Sequence, residues 1–204
     1  MYIPKYFAES DTDTIAGLIA AFPFGVLVSG GAGAPLASHL PFLVERRGDE
    51  DILIAHMARA NPHWQMFEGA AEALVVFQGP HGYVSPNWYA SEGRVPTWNY
   101  AAVHVYGVPR LVTPERTLEV IATLTGHFES DLSQPWSMDG LAVERRDALL
   151  GALVAFEVPM ARVEGKWKLG QNMSEADRAG AASGIDASGG DAALATLMRG
   201  VAKR

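Results

Sequence analysis

The spacing of hydrophobic residues along the chain changes its period near residue 23. Ile15, Leu18 and Ile19 repeat at helical spacing within residues 10–21, and Pro23 follows them, so this segment is predicted to be a helix. Beyond it, short runs of Val, Leu, Ile and Phe are separated by glycine, proline and charged residues, which is typical of consecutive strands. We predict these strands at residues 24–29, 35–45, 51–57 and 72–78.

A short helix and a long loop are predicted to interrupt the strands. Asn61 is suited to cap a helix that begins at Pro62, and a helix inside a meander of strands favours a barrel over a flat sandwich. Residues 79–96 combine Gly, Pro, Asn and Ser with aromatics, which predicts a long loop. Residues 98–112 alternate again, so we predict a long central strand in which Trp98 and Asn99 lie on opposite faces.

The rest of the chain is predicted to be mainly helical. One helix begins after Thr113, a second covers residues 139–150, and a last strand covers residues 151–160. Ser174 is suited to cap a further helix, and a terminal helix is expected to dock on the body of the protein or on a partner subunit. The buried stripe of the first of these helices is predicted to comprise Leu118, Ile121, Ala122, Thr125 and Phe128, and that of the terminal helix Leu194, Leu197, Met198 and Val201.

Length and composition indicate one globular domain over residues 1–204, with a C-terminal helical extension from about residue 174. No run approaches the roughly 18 consecutive apolar residues that a membrane helix needs. Residues 1–13 also lack the order of a signal peptide, so we expect a soluble, cytoplasmic protein without a membrane partner.

The absence of cysteine and the net charge of −7 narrow the possible functions. Without cysteine the chain has no thiolate nucleophile, iron–sulfur ligand or sulfur-based zinc site, so redox chemistry requires a bound cofactor. The 16 basic residues are outnumbered by 23 acidic ones, which makes direct DNA binding doubtful.

Few motifs in the chain point to a specific chemistry. The glycine-rich run at residues 30–35 is followed by a strand pattern and not by a helix, which favours a hairpin turn over a phosphate-binding loop. The six histidines have no metal-ligand spacing, so no metal site is predicted, and the catalytic residues stay unknown. The aromatic residues from Tyr83 to Tyr106 are typical of a strand core, although they could also cover a flat cofactor.

Two segments offer donors suited to a phosphorylated, planar cofactor. Ser38 and His39 lie in one, and the other runs from His56 through Arg59 to Asn61, where a helix is predicted to begin. The residues alone equally allow a strand end followed by a capped surface helix with an ordinary arginine.

Several segments together resemble the PaiB family, in family order and over nearly the whole chain. They are residues 1–7 (MYIPKYF), 38–42 (SHLPF), 56–62 (HMARANP), 82–89 (GYVSPNWY), 96–100 (PTWNY), 103–107 (VHVYG) and 168–172 (KLGQN). The resemblance implies an α+β, mainly β, FMN-binding split β-barrel with peripheral helices, related to pyridoxamine phosphate oxidases. It also implies a homodimer that encloses two flavins, and the family label of negative transcriptional regulator.

The resemblance further implies where FMN is bound. By similarity to other split barrels, the strand around Ser38 and the segment from His56 to Asn61 supply phosphate and ribityl contacts, and Trp98 and Asn99 reach the flavin of the facing subunit. The Trp167-Lys168-Leu169 stretch resembles a late Trp and basic residue of the oxidases, but Gly170-Gln171-Asn172 departs from their usual ending. The cofactor-binding residues implied are therefore Ser38, His39, Leu40, His56, Met57, Ala58, Arg59, Asn61, Trp98, Asn99, Lys168 and Gln171.

Three functions follow from this interpretation. The first is a PaiB-like, FMN-binding regulator that acts indirectly or senses flavin or redox state. The second is a flavin-dependent oxidoreductase with a small-molecule substrate, in which the cofactor carries the chemistry. The third is a haem-handling split barrel with an axial histidine.

Overall fold

Ten strands and five α-helices are found in the computed structural model, which describes residues 1–31, 33–69 and 71–201. The strands are β1 (Ala8–Glu9), β2 (Phe24–Ser29), β3 (Leu36–Pro41), β4 (Leu43–Arg47), β5 (Glu50–Ala58), β6 (Ala73–Val84), β7 (Thr97–Gly107), β8 (Arg110–Leu111), β9 (Leu153–Pro159) and β10 (Arg162–Lys168). The helices are α1 (Thr12–Ala21), α2 (Pro114–Glu129), α3 (Val143–Gly151), α4 (Glu175–Ala187) and α5 (Ala192–Gly200). Short 3-10 helices cover Lys5–Phe7, Pro62–Phe67, Pro86–Trp88 and Met138–Gly140.

These elements belong to two compact units, each assembled from separate stretches of sequence. Unit 1 comprises Met1–Ala21, Gln78–His104 and Glu164–Arg204, and unit 2 comprises Phe22–Phe77 and Val105–Val163. The mixed α+β, mainly antiparallel architecture agrees with the predicted fold class.

Unit 2 contains two groups of antiparallel strands. In the first, β2 pairs with both β3 and β6, and in the second the strand order is β4-β5-β9-β8. Helix α2 covers the second group: its Val120 and Leu124 pack on Ile54 and Ala155, which lie on β5 and β9. Burial of this face holds the amphipathic helix in place, since most helix stability in proteins comes from packing.

Aromatic rings fill another part of the unit 2 core. Phe42 contacts Phe77 and Phe156 edge to face, with ring centroids 5.6 and 6.2 Å apart, and Phe67 lies 5.1 Å from Phe156. Such pairs contribute about 0.5–1.5 kcal/mol each beyond their buried area. Gly25 has to be glycine here, because a Cβ atom would lie 2.8 Å from the Phe77 ring.

Unit 1 combines strands β1-β10-β7-β6 with helices α1, α4 and α5. Helix α4 packs against Trp88, where a Cβ atom on Gly184 would lie 2.2 Å from the indole and one on Gly180 would lie 2.2 Å from the Trp88 carbonyl oxygen. Two glycines one helical turn apart therefore let the tryptophan approach the helix closely. The apolar face of α5 is buried within this unit through Leu194 and Met198.

Most predicted helix starts are confirmed. Thr113, Ser174 and Asn61 cap α2, α4 and the Pro62–Phe67 helix as predicted, and α1 begins after Asp11, whose carboxylate accepts from the Thr14 backbone N–H at 2.8 Å. The predicted hairpin at residues 30–35 is confirmed by the antiparallel pairing of β2 with β3, while Ala32 itself lies outside the described residues.

Several predicted boundaries are wrong. The predicted strand 35–45 is two strands, because the chain changes sheet at the buried Phe42, whose N–H donates to the Pro23 carbonyl oxygen. Likewise the 98–112 segment divides into β7 and β8. Strand β6 continues to Val84, so the predicted loop at 79–96 begins later, and β10 follows the strand that was predicted to be the last.

The predicted buried stripe of α2 is also wrong, except for Ile121. The buried residues are Val120, Ile121 and Leu124, whereas Phe128 is 42% exposed. Helix α2 buries only the narrow face that packs on β5 and β9. The spacing of apolar residues in the sequence did not identify which residues lie at the centre of that face. None of the described helices is both long and apolar enough to cross a bilayer.

Candidate functional site

Strand β3 forms one end of its sheet, so its outer backbone edge has no partner strand among the described residues. A terminal strand presents unpaired N–H and C=O groups at alternate residues. Ser38 and Leu40 point into unit 2 and are buried, whereas His39 is exposed and stacks on Phe24 with ring centroids 6.2 Å apart. The strand therefore offers both a polar backbone edge and an exposed imidazole.

A buried polar cluster supports this strand from the 3-10 helix that follows β5. Ser38 Oγ lies 2.8 Å from His63 Nδ1 and accepts a hydrogen bond from Asn61 Nδ2 at 3.0 Å. Asn61 Oδ1 in turn accepts from the His63 backbone N–H, so Asn61 links the strand to the start of the helix. Burial lowers the pKa of His63 and favours its neutral form.

Three of the other predicted residues lie at the end of β5. His56 is half-buried, its Nδ1 atom is buried without a hydrogen-bond partner, and burial lowers its pKa. Met57 is buried in the core, and Ala58 is exposed. Of these three residues, His56 is the one with a buried hydrogen-bonding atom that the described residues leave unused.

Arg59 is anchored by main-chain oxygen atoms. Its Nε donates to the Gly151 carbonyl at 2.7 Å and its Nη2 to the Leu153 carbonyl at 2.8 Å, while its own backbone N–H donates to the Ala152 carbonyl. A guanidinium has five N–H donors, so three remain for a ligand. The side chain is exposed and lines a cavity of about 530 Å³ together with Trp64, apolar residues of α2, α3 and β9, and the acidic residues Glu115 and Asp147.

In unit 1, the predicted residue Trp98 is exposed on β7. Its indole stacks on the His81 ring at 6.4 Å and meets Tyr83 edge to face at 6.4 Å. Trp98 is 56% exposed, although the buried residues Asn99 and Ala101 flank it on the opposite face of the strand. A large aromatic surface is therefore held in a fixed orientation with one face open.

The other predicted residues of unit 1, Lys168 and Gln171, differ in how many hydrogen-bonding groups they have left for a ligand. Lys168 Nζ donates to Thr97 Oγ1 and, at 2.6 Å, to the Trp98 carbonyl oxygen, and burial and the nearby Lys166 charge lower the Lys168 pKa. Gln171 spans its own loop, accepting from the Leu169 N–H and donating to the Trp167 carbonyl. Its amide is therefore committed to backbone support, whereas the ammonium of Lys168 keeps one N–H.

A cavity of about 310 Å³ in unit 1 joins two predicted residues to others that sequence reasoning missed. Asn99 and Lys168 line it with Tyr89 and Arg94. Burial raises the Tyr89 pKa, with the Arg94 charge opposing the effect.

Arg94 is held by a buried carboxylate. Asp177, which is fully buried, accepts from Arg94 Nη2 at 2.6 Å and from the backbone N–H and hydroxyl of Ser91 at 2.8 and 3.0 Å. Burial by itself raises the pKa of Asp177, but the hydrogen bonds from Ser91, Ser174 and Arg94 outweigh it and hold the pKa at about 2.

The structure gathers the predicted residues into two groups, one in each unit. Ser38 and Asn61 are in direct contact, and Asn99 and Lys168 line one cavity. His63, Arg94 and Asp177 were missed as site residues. The sequence held a signal for His63, which directly follows the capped Asn61-Pro62 start, but none for Arg94 and Asp177, which lie far apart along the chain.

Comparison with known proteins gives a family match. Residues 1–162 match the model of the family described as "Putative FMN-binding domain". The chain is also 35% identical, over 177 residues, to the "Protease synthase and sporulation protein PAI 2" of Bacillus subtilis, with 87% of this chain and 85% of that protein covered.

Solved structures share the fold at low sequence identity. The flavocytochrome Anf3 from Azotobacter vinelandii matches with a TM-score of 0.63 at 15% identity, covering 81% of this chain and 72% of that chain. The FAD and heme binding protein from Mycobacterium smegmatis matches with a TM-score of 0.59 at 16% identity, covering 79% and 73% of the two chains.

Proposed function

Because this chain belongs to the family described as "Putative FMN-binding domain", together with PAI 2 of Bacillus subtilis, we propose that it binds FMN through the residues described above. The resemblance to the PaiB family that the sequence predicted is thereby confirmed. Flavin binding itself, and FMN as the particular flavin, are the proposal.

The observation that carries this proposal is the open edge of β3, which lies within the matched residues 1–162. The isoalloxazine ring has a flat polar edge of alternating donors and acceptors, which suits the backbone groups of a terminal strand. Ser38 and Leu40 fix that strand from the buried side, and exposed His39 lies beside it. Asn61, through its bond to Ser38, positions the strand rather than contacting the ring.

The phosphate is assigned to Arg59 and the half-buried His56. Arg59 keeps three N–H donors after its two carbonyl bonds, and it is already held in place. The unpartnered Nδ1 of His56 also fits a site that takes an oxygen-rich ligand. The start of the Pro62–Phe67 helix is a weaker candidate for binding the phosphate, because the His63 N–H already donates to the Asn61 side chain.

Trp98 and Asn99 of unit 1 are proposed to contact the flavin of the facing subunit, Trp98 through its open aromatic face, and Lys168 is proposed as a further flavin contact. Gln171 is proposed to stabilise the conformation of the loop after Lys168, since its side-chain oxygen and nitrogen atoms both form hydrogen bonds with the backbone. Bound FMN would supply one- and two-electron transfer, for which the described side chains offer no substitute.

Titration of flavin-free protein with FMN, FAD and riboflavin tests the proposal. We expect FMN to bind at least about tenfold more tightly than FAD, since the proposed donors serve one terminal phosphate and no dinucleotide-binding loop is present in the described residues. Equal or tighter binding of FAD would contradict the assignment to FMN.

We also propose a homodimer. Phe24 in unit 2 is 66% exposed and Trp98 in unit 1 is 56% exposed, more than is usual for large aromatics in a solvated monomer. The terminal helix does not contribute to this argument, because its apolar face is already buried within unit 1. Light scattering is expected to give close to twice 21.9 kDa, and a monomer with full FMN affinity would contradict the dimer.

Any regulatory role is proposed to be indirect. The name of the Bacillus subtilis relative refers to protease synthesis and sporulation, which supports a link to gene expression. The excess of acidic over basic residues opposes tight binding to a phosphate backbone, so flavin chemistry or a protein partner is the favoured route. Nanomolar binding of promoter DNA near 150 mM salt would contradict this.

A further inference from the structure

The 310 Å³ cavity of unit 1 has a cationic lining, and Arg94 in that lining has no part in the proposed flavin site. Lys168 and Arg94 both line it, together with Tyr89, Thr97 and Asn99, and none of the lining residues is acidic. We propose that this cavity binds a small organic carboxylate with an apolar body, as the substrate or effector of the flavin site. Because Asn99 and Lys168 are also proposed flavin contacts, the inference rests on the proposed function.

Lys168 supplies a positive charge without a carboxylate partner among the described residues. Its ammonium donates to a hydroxyl and a carbonyl oxygen, both neutral, and keeps a third N–H. Both of these acceptors are neutral, so among the described residues the charge has no ionic partner, and burial together with the Lys166 charge lowers the pKa of Lys168. An anionic ligand would relieve that cost, because an opposite charge at hydrogen-bond distance stabilises the charged form.

Arg94 adds a donor that has no partner. Its Nη2 is paired with Asp177, but its Nε is buried and makes no hydrogen bond within the part of the chain that the structure describes. A buried N–H without an acceptor is unfavourable, so a ligand oxygen that reaches Nε on binding would stabilise the site. Asp177 neutralises Arg94 and fixes its position, while Lys168 supplies the net charge of the cavity.

The apolar part of the lining selects the class of anion. Phe7, Val95 and Met173 contribute hydrocarbon surface, and the Tyr89 ring lies 6.0 Å from the Arg94 guanidinium. At roughly 30 Å³ per water molecule, a cavity of about 310 Å³ has room for a ligand of about ten non-hydrogen atoms. A small aromatic or branched carboxylate fits this space better than a nucleotide or an inorganic ion.

Benzoate is a suitable probe, and benzamide is its neutral control of the same shape. With FMN-loaded protein we expect benzoate to bind with a Kd below about 1 mM, to perturb the flavin absorbance, and to bind at least about tenfold more tightly than benzamide. Inorganic phosphate is expected to compete weakly. Equal affinity for benzoate and benzamide, or tighter binding of phosphate, would overturn the proposal.

Substitutions at Lys168 and Arg94 locate the binding, and a substitution at Arg199 is the control. Lys168→Met is expected to weaken benzoate at least about tenfold, whereas Arg199→Met, which removes an exposed arginine of the same unit, should change it less than about twofold. Arg94→Met would leave the buried Asp177 unpaired, so Arg94→Lys, which keeps the charge but removes Nε, is used instead and is expected to weaken benzoate more than Arg199→Met does. Unchanged benzoate affinity in Lys168→Met would overturn the proposal.

The experiment separates this inference from the flavin proposal. Protein that takes up FMN but does not distinguish benzoate from benzamide contradicts the cavity proposal alone. If no FMN binds but benzoate raises the melting temperature and Lys168→Met abolishes that rise, the anion site is supported and the flavin proposal is contradicted.

Discussion

Replacing Asp177 with asparagine is expected to lower the melting temperature by on the order of 10 °C. Asp177 is fully buried, and it accepts three hydrogen bonds from Ser91 and Arg94. Asparagine keeps the shape but removes the charge, and its NH2 group would face donors. Breaking one side of a buried pair leaves the other charge uncompensated, which is among the most destabilising single changes.

Asp186→Asn is the matched control, because it lies on the same helix α4. Its partner is Arg199, and both side chains are more than 40% exposed. Exposed pairs contribute at most about 1 kcal/mol, so the control should shift the melting temperature by less than about 4 °C. Thermal unfolding of both variants near pH 7 measures the difference. Equal shifts in the two variants would show that the Asp177 cluster does not stabilise unit 1.

The same residue predicts a dependence on pH. Although burial opposes it, hydrogen bonding holds the native pKa of Asp177 at about 2, below the value of 3.8 for a free carboxyl. The unfolded chain therefore takes up this proton at a higher pH than the native state, and the stabilisation is lost as the pH falls from about 4 towards 2. The difference in melting temperature between wild type and Asp177→Asn should narrow over that range.

Arg59→Ala is expected to weaken FMN binding by about 10- to 100-fold and riboflavin binding by less than about threefold. Only FMN carries the phosphate, and a hydrogen bond to a charged group contributes about 1.5–3 kcal/mol. Titration of each flavin into the same flavin-free protein gives the ratio directly.

The ratio matters because Arg59 also supports the fold through the Gly151 and Leu153 carbonyls. Loss of that support lowers the affinity for both flavins alike, so equal losses would mean that Arg59 is structural only. Arg46→Ala is the control for charge: Arg46 is an exposed arginine of unit 2, paired with Asp51, and its removal should leave both affinities within about twofold.

The elements with strong local signals could be predicted from the sequence. Cap residues such as Asn61 and Ser174 accept hydrogen bonds from backbone N–H groups two or three residues away, so a short stretch of sequence is enough to predict their role. The change of sheet at Phe42 could not be predicted, because it depends on which strands pair across long distances. Strand alternation continues through such a point without a visible break.

In the candidate site, too, some residues could be predicted from the sequence and others depend on long-range contacts. The family resemblance selected Ser38, Asn61, Asn99 and Lys168, and the structure joins these in two pairs. It could not reveal that Gln171 is committed to backbone support, or that Arg94 and Asp177 meet across 83 residues of sequence. Such contacts arise from the tertiary fold: Arg94 has no motif around it, and the motif around Asp177 indicates only the start of a helix at Ser174.

Whether the protein carries FMN is decided by the identity of the chromophore in the purified protein. Denaturation followed by mass determination of the released molecule is expected to yield FMN, with a flavin absorbance spectrum beforehand. Release of FAD or haem, or a colourless protein that takes up no added FMN, would contradict the account.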